Sequence, residues 1–545
     1  MVHTSRINAL RTRYGEPFFI LCVCVVFTTA YALWVGQDAS WDQKNYYFYS
    51  VYAWLRGRTF RDVAPGQITT WLNPLPYLLQ YLLIQSAPPV VAGLLMGALA
   101  GLNGLMLWLL ARRLQRGGPT WQGRVCAYVI ILVGLTGSIF LSEVGTTFAD
   151  YLSSVLVLGG LISITPPPSE MAGKPNARDF LLAGLWMGTA CGLKLTNFTY
   201  AIGLGVSLLA LWPVLLLRGR MFLSYTIGAV CGFLVTGGYW AVHLWLAFGN
   251  PMAPYFNDVF ASPMFVLDSY ADRRFMQGPL FPAAITYPFR WLLGMHPTSE
   301  VPFRDARFAL VAVFLPVALV VSVLRPGRGP SGAAKTGSIV ELRQFWLHGL
   351  FFIASYAIWL KQFGYQRYAL PLELLTGLML FLSLDRLLRN RKEVTCVFSV
   401  LAVFIVTWTR PANWGRIPYG NDWFGIEIPR DQEPQALYVM MGHDEPFAYV
   451  IPFMPDTSQF IRLTGNMPLD PNMPLGRKAL SMIRAHTGTI RSLAVVELDE
   501  ENRARLARFG LALTPGSQCE RFRSRLDTFT TCILTKNHQE GHLER

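Results

Sequence analysis

Charged residues are scarce in this sequence, and their scarcity excludes an ordinary soluble domain. Aspartate, glutamate, lysine and arginine make up 15% of the 545 positions, whereas hydrophobic residues make up 52%. Soluble domains carry about 25% charged residues. Apolar runs of about 18 residues or more recur along the chain, and a run of that length crosses the roughly 30 Å hydrocarbon core of a bilayer. The composition therefore predicts a polytopic α-helical membrane protein.

Motifs that hold zinc or nucleotides are missing as well. The eight cysteines include no Cys-x-x-Cys pair, and no histidine cluster has the spacing of zinc ligands. The carboxyl-terminal tail contains no glycine-rich phosphate loop of the GxGxxG or Walker type. We therefore expect neither a zinc site nor a nucleotide-binding role for the tail.

The apolar runs predict about eleven membrane spans. The stretch from Phe180 to Leu217 is almost continuously apolar, but "LKLTN" (Leu193 to Asn197) interrupts it. Because this stretch is too long for one span and short for two full ones, we expect a shortened span that turns at Lys194. In chain order, the predicted spans are 17–35, 87–110, 125–142, 148–164, 180–192, 198–217, 221–247, 307–324, 345–361, 368–385 and 393–409.

The net charge of +14 does not indicate nucleic acid, because basic residues cluster on alternate loops. This is the positive-inside pattern, which sets the orientation of a membrane protein. We expect a cytoplasmic amino terminus and a tail, from about residue 410, on the periplasmic side of a bacterial inner membrane. The clusters are Arg6, Arg11 and Arg13; Arg112, Arg113, Arg116 and Arg124; Lys174 and Arg178; Arg218 and Arg220; Arg325, Arg328, Lys335 and Arg343; and Arg386, Arg389, Arg391 and Lys392.

The distribution of apolar runs along the chain also predicts three regions. Residues 1–410 form a transmembrane domain with two long outside loops, 36–86 and 248–306. Residues 411–430 are a linker. In residues 431–545, apolar runs shorten to strand length and alternate with helix-like segments, which predicts a small periplasmic α/β domain.

Two cysteines of the tail predict a disulfide bond. Cys519 and Cys532 are the only cysteines in the outside tail, and strand-like sequence flanks both. In an oxidising compartment such a pair is a plausible disulfide.

Acids and bases occur together at the predicted outer ends of the spans. Ionisable residues are costly at membrane depth and usually functional there. A carboxylate can accept the proton of an incoming hydroxyl group, and cations can stabilise a leaving phosphate. Glycosyl transfer from a lipid-phosphate donor requires this combination. The residues concerned are Asp38, Asp42, Lys44, Glu143, Asp150, Lys194, His243, Asp258, Arg367 and Glu373.

The acidic candidates also have a structural interpretation. Asp38 and Asp42 precede an aromatic helix-like stretch, and aspartate before a helix is a common N-cap. Glu143 and Asp150 lie in the turn between the third and fourth spans, where they either face the site or form a hydrated, capped turn.

The two best cationic candidates are Arg367 and Lys194. Arginine offers a planar donor fork to a lipid phosphate, and lysine offers a point charge. The structural alternative is that both side chains snorkel to lipid headgroups. Outside-facing cations run against the positive-inside bias, which favours a functional role, and we rank Arg367 above Lys194.

The first outside loop resembles that of the GT-C superfamily of membrane glycosyltransferases, which includes the protein mannosyltransferases and the lipid A aminoarabinose transferase. In that superfamily a short acidic motif of the type Asp-Glu-x-x-Tyr opens the loop, and a Pro-Pro-Leu-like element closes it. Here "DQKNY" (Asp42 to Tyr46) is similar to the first element, and Asn73-Pro74-Leu75 is similar to the second. Gln43 stands where many relatives carry a second acid.

The resemblance implies a site and a reaction. Asp42 would be the general base, with Asp38 as the second choice, and Tyr46 and Asn73 would contribute to substrate binding. Lys194, Arg367, Glu143 and Asp150 would hold the donor or the acceptor.

The implied reaction is transfer of a hexosyl or pentosyl group from a polyprenyl-phosphate donor, with inversion, to a lipid, glycan or protein acceptor on the periplasmic side. Gln43 weakens the inference of a metal held by adjacent carboxylates, so a divalent cation remains an open question and no other cofactor is implied.

Three alternatives remain open. A transporter or flippase would place ionisable residues at the membrane midplane and show internal repeats, neither of which is convincing here. An O-antigen polymerase or ligase would rely on a large late loop with arginine and histidine. A scaffold protein would use the tail to bind envelope partners and would not depend on Asp42.

Overall fold

The computed structural model describes residues 2–115, 120–166, 176–211, 215–276, 280–324, 335–388, 390–428, 433–516 and 518–537. Of the residues that predict the orientation, Arg116, Lys174, Arg325, Arg328 and Arg389 lie outside these ranges. So do positions 429–432, where the predicted linker meets the predicted tail domain.

Helices dominate the structure. The first ten are α1 Val2–Val35, α2 Phe48–Leu55, α3 Leu78–Ser86, α4 Pro89–Ala100, α5 Leu102–Leu114, α6 Trp121–Leu135, α7 Ser138–Glu143, α8 Asp150–Ile164, α9 Ala177–Leu193 and α10 Phe198–Leu211. The others are α11 Leu215–Phe233, α12 Tyr239–Phe248, α13 Asn257–Phe260, α14 Leu280–Leu292, α15 Arg307–Leu324, α16 Lys335–Gln362, α17 Leu370–Leu387, α18 Arg391–Trp408, α19 Pro474–Ala485 and α20 Glu500–Arg508.

Short strands lie mainly in the last quarter of the chain. They are β1 Gln37–Asp38, β2 Arg416–Ile417, β3 Leu437–Met440, β4 Gln459–Arg462, β5 Ile490–Ala494, β6 Leu511–Leu513, β7 Glu520–Arg523 and β8 Thr528–Lys536.

Within the described residues, five helical stretches are long and apolar enough to cross a membrane. They are Gly15–Val35, Pro89–Leu114, Gly219–Phe248, Arg307–Leu324 and Gln366–Leu387. Shorter apolar helices cover Trp121–Leu135, Asp150–Ile164 and Leu195–Leu211. A helical fold is therefore confirmed, whereas the count of about eleven spans stays a prediction.

The predicted span 125–142 is divided in the structure. Helix α6 ends at Leu135, and α7 begins at Ser138 after Thr136 and Gly137. The break follows from a distant residue, because the side chain of Glu373 accepts hydrogen bonds from the backbone N–H groups that open α7.

The chain divides into two compact units. Unit 1 comprises Met1–Val35, Gly93–Gly238 and Asp272–Trp414, and unit 2 comprises Gly36–Ala92, Tyr239–Ala271 and Gly415–Arg545. Unit 1 contains most of the long apolar helices, and unit 2 contains all eight described strands.

Glycine allows two helices of unit 1 to pack closely. Helix α9 carries Gly184 and Gly188 four residues apart, on the face that contacts α11. A Cβ atom at Gly184 would collide with the carbonyl oxygen of Tyr225, and one at Gly188 would collide with that of Ala229. Small residues at this spacing bring the backbones of membrane helices together. Packing of this kind fixes the end of α9, where Lys194 follows.

Unit 2 is built on a mixed sheet. Strand β3 pairs in parallel with β4 and β5, and β8 pairs antiparallel with β5, β6 and β7, so the main order is β4-β3-β5-β8-β6. The predicted α/β character of the tail agrees with these strands and with α19 and α20. The first outside loop joins the same sheet, since Val63 forms a parallel bridge with Ile461 at the β4 edge.

A buried ion pair holds the first loop to the sheet. Arg58 and Asp62 lie 2.9 Å apart (Nη2 to Oδ1), with 3% and 0% of their side chains exposed. Arg58 also donates to the carbonyl oxygens of Asp456 and Ser458, and Asp62 accepts from the backbone N–H of Phe460. Arg58 and Asp62 therefore each have further hydrogen-bond partners besides their counter-charge.

Removing one partner of this pair should destabilise unit 2 strongly. We expect Asp62→Ala to cost about 3–5 kcal/mol, because it leaves the Arg58 guanidinium buried without its counter-charge. Thermal unfolding of the full chain in detergent measures the loss. Arg508→Ala, which breaks an exposed ion pair with Asp470 in the same unit, should cost less than about 1 kcal/mol. Equal losses in the two variants would contradict this account.

Cys519 and Cys532 form a disulfide bond in the structure, with Cα atoms 4.3 Å apart and a sequence separation of 13. Cys532 lies in the central part of β8, and Cys519 directly precedes β7. The bond therefore closes the β7–β8 hairpin.

Loss of this disulfide should be measurable. Closing a loop of about 15 residues stabilises a fold by about 3 kcal/mol through the unfolded state. We expect Cys519→Ser to lower the unfolding midpoint of the full chain and to make it insensitive to dithiothreitol. Cys396→Ser, at an exposed free cysteine of α18, should leave both the midpoint and its sensitivity to dithiothreitol unchanged. A wild-type midpoint that does not respond to reduction would contradict the prediction.

Candidate functional site

A buried network in unit 1 positions the short helix α7. Glu373 accepts hydrogen bonds from the backbone N–H groups of Ile139 (2.9 Å) and Phe140 (2.8 Å). Asp305 accepts from the N–H of Ser138 (3.2 Å), and the fully buried Arg307 pairs with Asp305. Carboxylates at a helix N-terminus satisfy its unpaired N–H groups and favour its dipole. The network fixes the direction of α7 and hence the position of Glu143 at its end.

Asp150 and Lys194 form an ion pair in the same unit. The Lys194 Nζ atom lies 2.6 Å from each carboxylate oxygen of Asp150. Asp150 is the first residue of α8, and Lys194 follows the last residue of α9, so the pair joins two helix ends. Both side chains are largely buried, with 6% and 11% exposed. Lys194 lies there because α9 ends at Leu193.

Arg367 lies among aromatic rings. Its guanidinium carbon is 4.2 Å from the ring centroid of Phe148, 5.3 Å from that of Tyr365 and 5.5 Å from that of Trp414. The residue is 5% exposed and lies in the 3₁₀ turn Gln366–Ala369 before α17. Cation–π contacts strengthen when the cation is desolvated. The rings thus hold the guanidinium in one orientation.

Tyr368 connects the two cations. Lys194 Nζ is 4.9 Å from the ring centroid of Tyr368, and the Arg367 guanidinium carbon is 5.8 Å from the same centroid. Lys194 and Arg367, the two candidate cations from widely separated segments, therefore lie close together in unit 1.

Glu143 completes this group. It is fully buried, and neither of its carboxyl oxygens has a hydrogen-bond partner among the described residues. Burial and the negative charge of Asp150 raise the pKa of Glu143 well above its usual range, against the opposing effects of Arg367 and Lys194. Burial therefore favours the uncharged form of its carboxyl group. We call Glu143, Asp150, Lys194 and Arg367 the cation–acid cluster.

In unit 2, Asp38 and Asp42 occupy different environments. Asp38 is fully buried in β1, which pairs with β2, and its Oδ1 atom accepts from the backbone N–H of Ser40 at 2.9 Å. Asp42 precedes a π-helical turn, Gln43–Tyr47, and makes no side-chain capping hydrogen bond there. The capping interpretation therefore does not apply to Asp42, whose side chain is partly exposed and contacts the Tyr47 hydroxyl at 3.5 Å.

The other two residues predicted in the first loop have structural contacts. Tyr46 is 4% exposed and packs edge-on against Tyr47 and Tyr77, with centroids 4.4 Å and 5.9 Å apart. The Oδ1 atom of Asn73 accepts from the Leu75 N–H and from the Tyr239 hydroxyl, both at 3.1 Å. These contacts shape the loop, and a direct role in substrate binding stays a prediction for both residues.

Several neighbours of these residues could not be predicted from the sequence. Lys44, two residues after Asp42, forms an ion pair with Asp527 at 2.7 Å, and Asp527 also accepts from the Tyr449 hydroxyl at 2.8 Å. Phe148 and Trp414 surround Arg367 from segments far apart in sequence. No local motif marks Asp527, Phe148 or Trp414, because their roles arise from pairing across the chain.

Nothing in the described residues groups three or more histidine, cysteine, aspartate or glutamate side chains as a metal site would. The described part of the chain therefore offers no ready-made set of ligands for a divalent cation.

The fold is similar to that of a known membrane enzyme structure. A crystal structure of ArnT from Cupriavidus metallidurans bound to undecaprenyl phosphate aligns with a TM-score of 0.51 and 13% sequence identity, covering 97% of this chain and 99% of that one. A crystal structure of ArnT from the same organism in the apo state aligns with a TM-score of 0.44 and 13% identity, covering 95% and 98%. No known family profile and no curated protein sequence matches the chain.

The chain thus has an ArnT-like helical fold with apolar helices long enough to cross a membrane. The predicted resemblance to the GT-C superfamily, which includes the lipid A aminoarabinose transferase, is confirmed at the level of the fold.

Proposed function

We propose that this protein is a membrane glycosyltransferase that moves a sugar from a polyprenyl-phosphate donor to an acceptor. The observation that carries the proposal is the cation–acid cluster of unit 1, where a buried arginine and a buried lysine lie together among aromatic rings. The ArnT structure with the same fold is bound to undecaprenyl phosphate. A polyprenyl phosphate presents an anionic group next to an apolar chain, and the cluster combines cations with apolar rings.

Arg367 and Lys194 would bind the donor phosphate. The guanidinium of Arg367 can donate two parallel hydrogen bonds to phosphate oxygens. Lys194 has three ammonium hydrogens, and two are directed at the oxygens of Asp150, which leaves one for the phosphate. Both cations are fixed before the donor arrives, so they stabilise the charge that develops as the phosphate leaves.

Glu143 and Asp150 would have different roles in the cluster. Asp150 holds Lys194 in place through the ion pair. In its uncharged form, which burial favours, the carboxyl of Glu143 would donate a hydrogen bond to a phosphate oxygen or to a sugar hydroxyl without repelling the anion. A charged Glu143 would oppose phosphate binding, which is why its burial matters.

Asp42 would act as the general base on the acceptor. It would take the proton of an acceptor hydroxyl, whose oxygen forms a bond to the anomeric carbon of the sugar. The bond from that carbon to the phosphate oxygen breaks, and the phosphate keeps the electron pair. A single displacement of this kind inverts the anomeric centre. Asp38 remains the second choice, although its hydrogen bond to Ser40 favours a structural role.

The location and the acceptor follow from the same proposal. The site would lie on the periplasmic side of a bacterial inner membrane, where the positive-inside pattern predicts the first loop and the tail. The acceptor would be a lipid, glycan or protein of the cell envelope. Residues 431–545 would form a periplasmic domain that contributes to the acceptor side.

A transfer assay with defined donors tests the donor class. Membranes containing the protein are incubated with a radiolabelled polyprenyl-phosphate sugar or with the matching labelled nucleotide sugar, after removal of endogenous polyprenyl phosphate. We expect label to reach a new product only from the polyprenyl-phosphate donor. Translocation of the intact labelled lipid without a new product would support a flippase instead. Lengthening of an oligosaccharide chain on the donor lipid would support a polymerase.

A further inference from the structure

A cavity in unit 1 is lined by residues from α5, α6, α16, α17 and α18 and from the turns beside them. Its volume is about 280 Å³, near the lower end of the roughly 300–1,000 Å³ of small-molecule sites. It is lined by no member of the cation–acid cluster. Of the arginines that the positive-inside pattern places in the cytoplasm, Arg386 and Arg391 line it.

The charges in this cavity favour a singly charged anion. Of the lining residues that the structure describes, Arg386, Arg391 and Asp385 are charged, with a net charge of +1. The Arg386 guanidinium lies over the ring of Phe345, 5.5 Å from its centroid, and Arg391 Nη1 is 3.4 Å from Thr120 Oγ1. Each of the two arginines therefore has a contact with another residue that lines the cavity.

Two helix N-termini add to this preference. Thr120 is the N-cap of α6 and Asn390 is the N-cap of α18, and both line the cavity. Each side chain accepts one backbone N–H of the first turn, from Gly123 and Glu393 respectively. The positive ends of two helices therefore meet at one cavity, which favours a phosphate-like anion.

A buried glutamine indicates that the ligand also donates hydrogen bonds. Gln344 lines the cavity, is 7% exposed, and its Oε1 atom is buried without a hydrogen-bond partner. Buried acceptors are rarely left unpaired. A donor group on the ligand would satisfy Gln344, and Asp385 offers a second acceptor in the same wall.

The remaining lining residues suit an amphiphile. Leu114, Phe381, Leu382 and Val394 form apolar parts of the wall. A free phosphate would leave these surfaces unused, whereas the glycerol and first acyl carbons of a lipid would cover them. Basic pockets between membrane helices on the cytoplasmic side are typical lipid-headgroup sites.

We propose that this cavity binds the headgroup of an anionic phospholipid with a phosphodiester and free hydroxyl groups, as in phosphatidylglycerol. The phosphodiester would lie between Arg386 and Arg391, and a headgroup hydroxyl would donate to Gln344. This cavity is separate from the cation–acid cluster proposed for glycosyl transfer. Its occupancy is therefore measured by lipid binding, without an assay of sugar transfer.

Native mass spectrometry of the full chain in detergent tests the proposal. Titration with phosphatidylglycerol should give a saturable one-lipid adduct in the wild type. Arg386→Gln combined with Arg391→Gln should weaken its apparent binding at least about 10-fold. Arg178→Gln combined with Arg220→Gln, at exposed arginines of α9 and α11 outside the cavity, removes the same number of charges and should bind as the wild type does. Gln344→Leu, which keeps all charges, provides a second test if the double variant does not fold.

Two further ligands test whether the cavity recognises an anionic lipid headgroup rather than any phospholipid or free phosphate. Phosphatidylcholine with the same acyl chains should bind at least about 10-fold more weakly, because it carries no net charge and its headgroup has no donor. Millimolar inorganic phosphate should not displace phosphatidylglycerol. Equal binding by the wild type and both variants, equal binding of phosphatidylcholine, or full displacement by inorganic phosphate would overturn the proposal.

Discussion

Replacing Asp42 with asparagine should lower the rate of sugar transfer at least about 100-fold. General bases contribute about 10²–10⁴-fold to enzymatic rates, and asparagine is similar in size but accepts no proton at neutral pH. Asp42 precedes the π-helical turn without capping it, so the substitution should leave the fold of the first loop intact. The measurement is the initial rate of label transfer from a polyprenyl-phosphate sugar in membranes with equal amounts of protein.

Two variants serve as controls for Asp42→Asn. Asp268→Asn removes an exposed acid elsewhere in unit 2 and should transfer sugar at the wild-type rate. Asp38→Asn distinguishes the two acidic candidates, because the amide oxygen of asparagine can still accept from the Ser40 N–H. Normal transfer by Asp42→Asn together with loss of transfer by Asp38→Asn would move the base to Asp38.

Replacing Arg367 with glutamine should lower transfer by about 10²–10³-fold, the usual effect of losing one donor that stabilises a developing anion. Arg367→Lys should recover only part of the activity, because lysine keeps the charge but loses the planar fork and the stacking on Phe148. The measurement is kcat and KM over a range of donor concentrations. A fall in kcat indicates a contact made with the leaving phosphate in the transition state.

Arg304→Gln is the matched control for Arg367. Arg304 also stacks on an aromatic ring in unit 1, with its guanidinium carbon 4.0 Å from the centroid of Trp408, but it is not part of the cation–acid cluster. We expect this variant to keep the wild-type kcat. Equal losses in the Arg304 and Arg367 variants would show that aromatic stacking supports the fold rather than the reaction.

Sequence patterns predicted what depends on local composition. The span at 307–324 agrees with α15, because a continuous apolar run defines both ends. The predicted turn at Lys194 agrees with the end of α9 at Leu193, whereas a shortened membrane span there stays a prediction. Strand-like flanks and the absence of other cysteines in the tail were enough to predict the pairing of Cys519 with Cys532.

Long-range pairing could not be predicted in the same way. The sequence placed Asp150 and Lys194 at helix ends, but only the fold shows that they form an ion pair. Glu373 was recognised as an ionisable residue near a span end, whereas its role is to cap α7 from a distant helix. Trp414 lies in a segment without regular structure, so no periodicity marked it as a neighbour of Arg367.

The same limit applies to the first loop. Its aromatic residues predicted a helix-like stretch, yet Val63 pairs with Ile461 of β4, and Arg58 donates to the carbonyl oxygen of Ser458 just before that strand. A local sequence pattern can indicate that a residue is buried, but it does not indicate which residue that side chain contacts. The unit to which a loop belongs therefore has to be read from the structure.

Transfer by the purified protein in proteoliposomes tests the central claim most directly. The full chain is reconstituted with a radiolabelled polyprenyl-phosphate sugar and a lipid extract of envelope acceptors, beside an identical preparation of Asp42→Asn. The account predicts a labelled product whose anomeric configuration is inverted relative to the donor, formed by the wild type and not by the variant. A product with retained configuration, or equal product from both preparations, would contradict it.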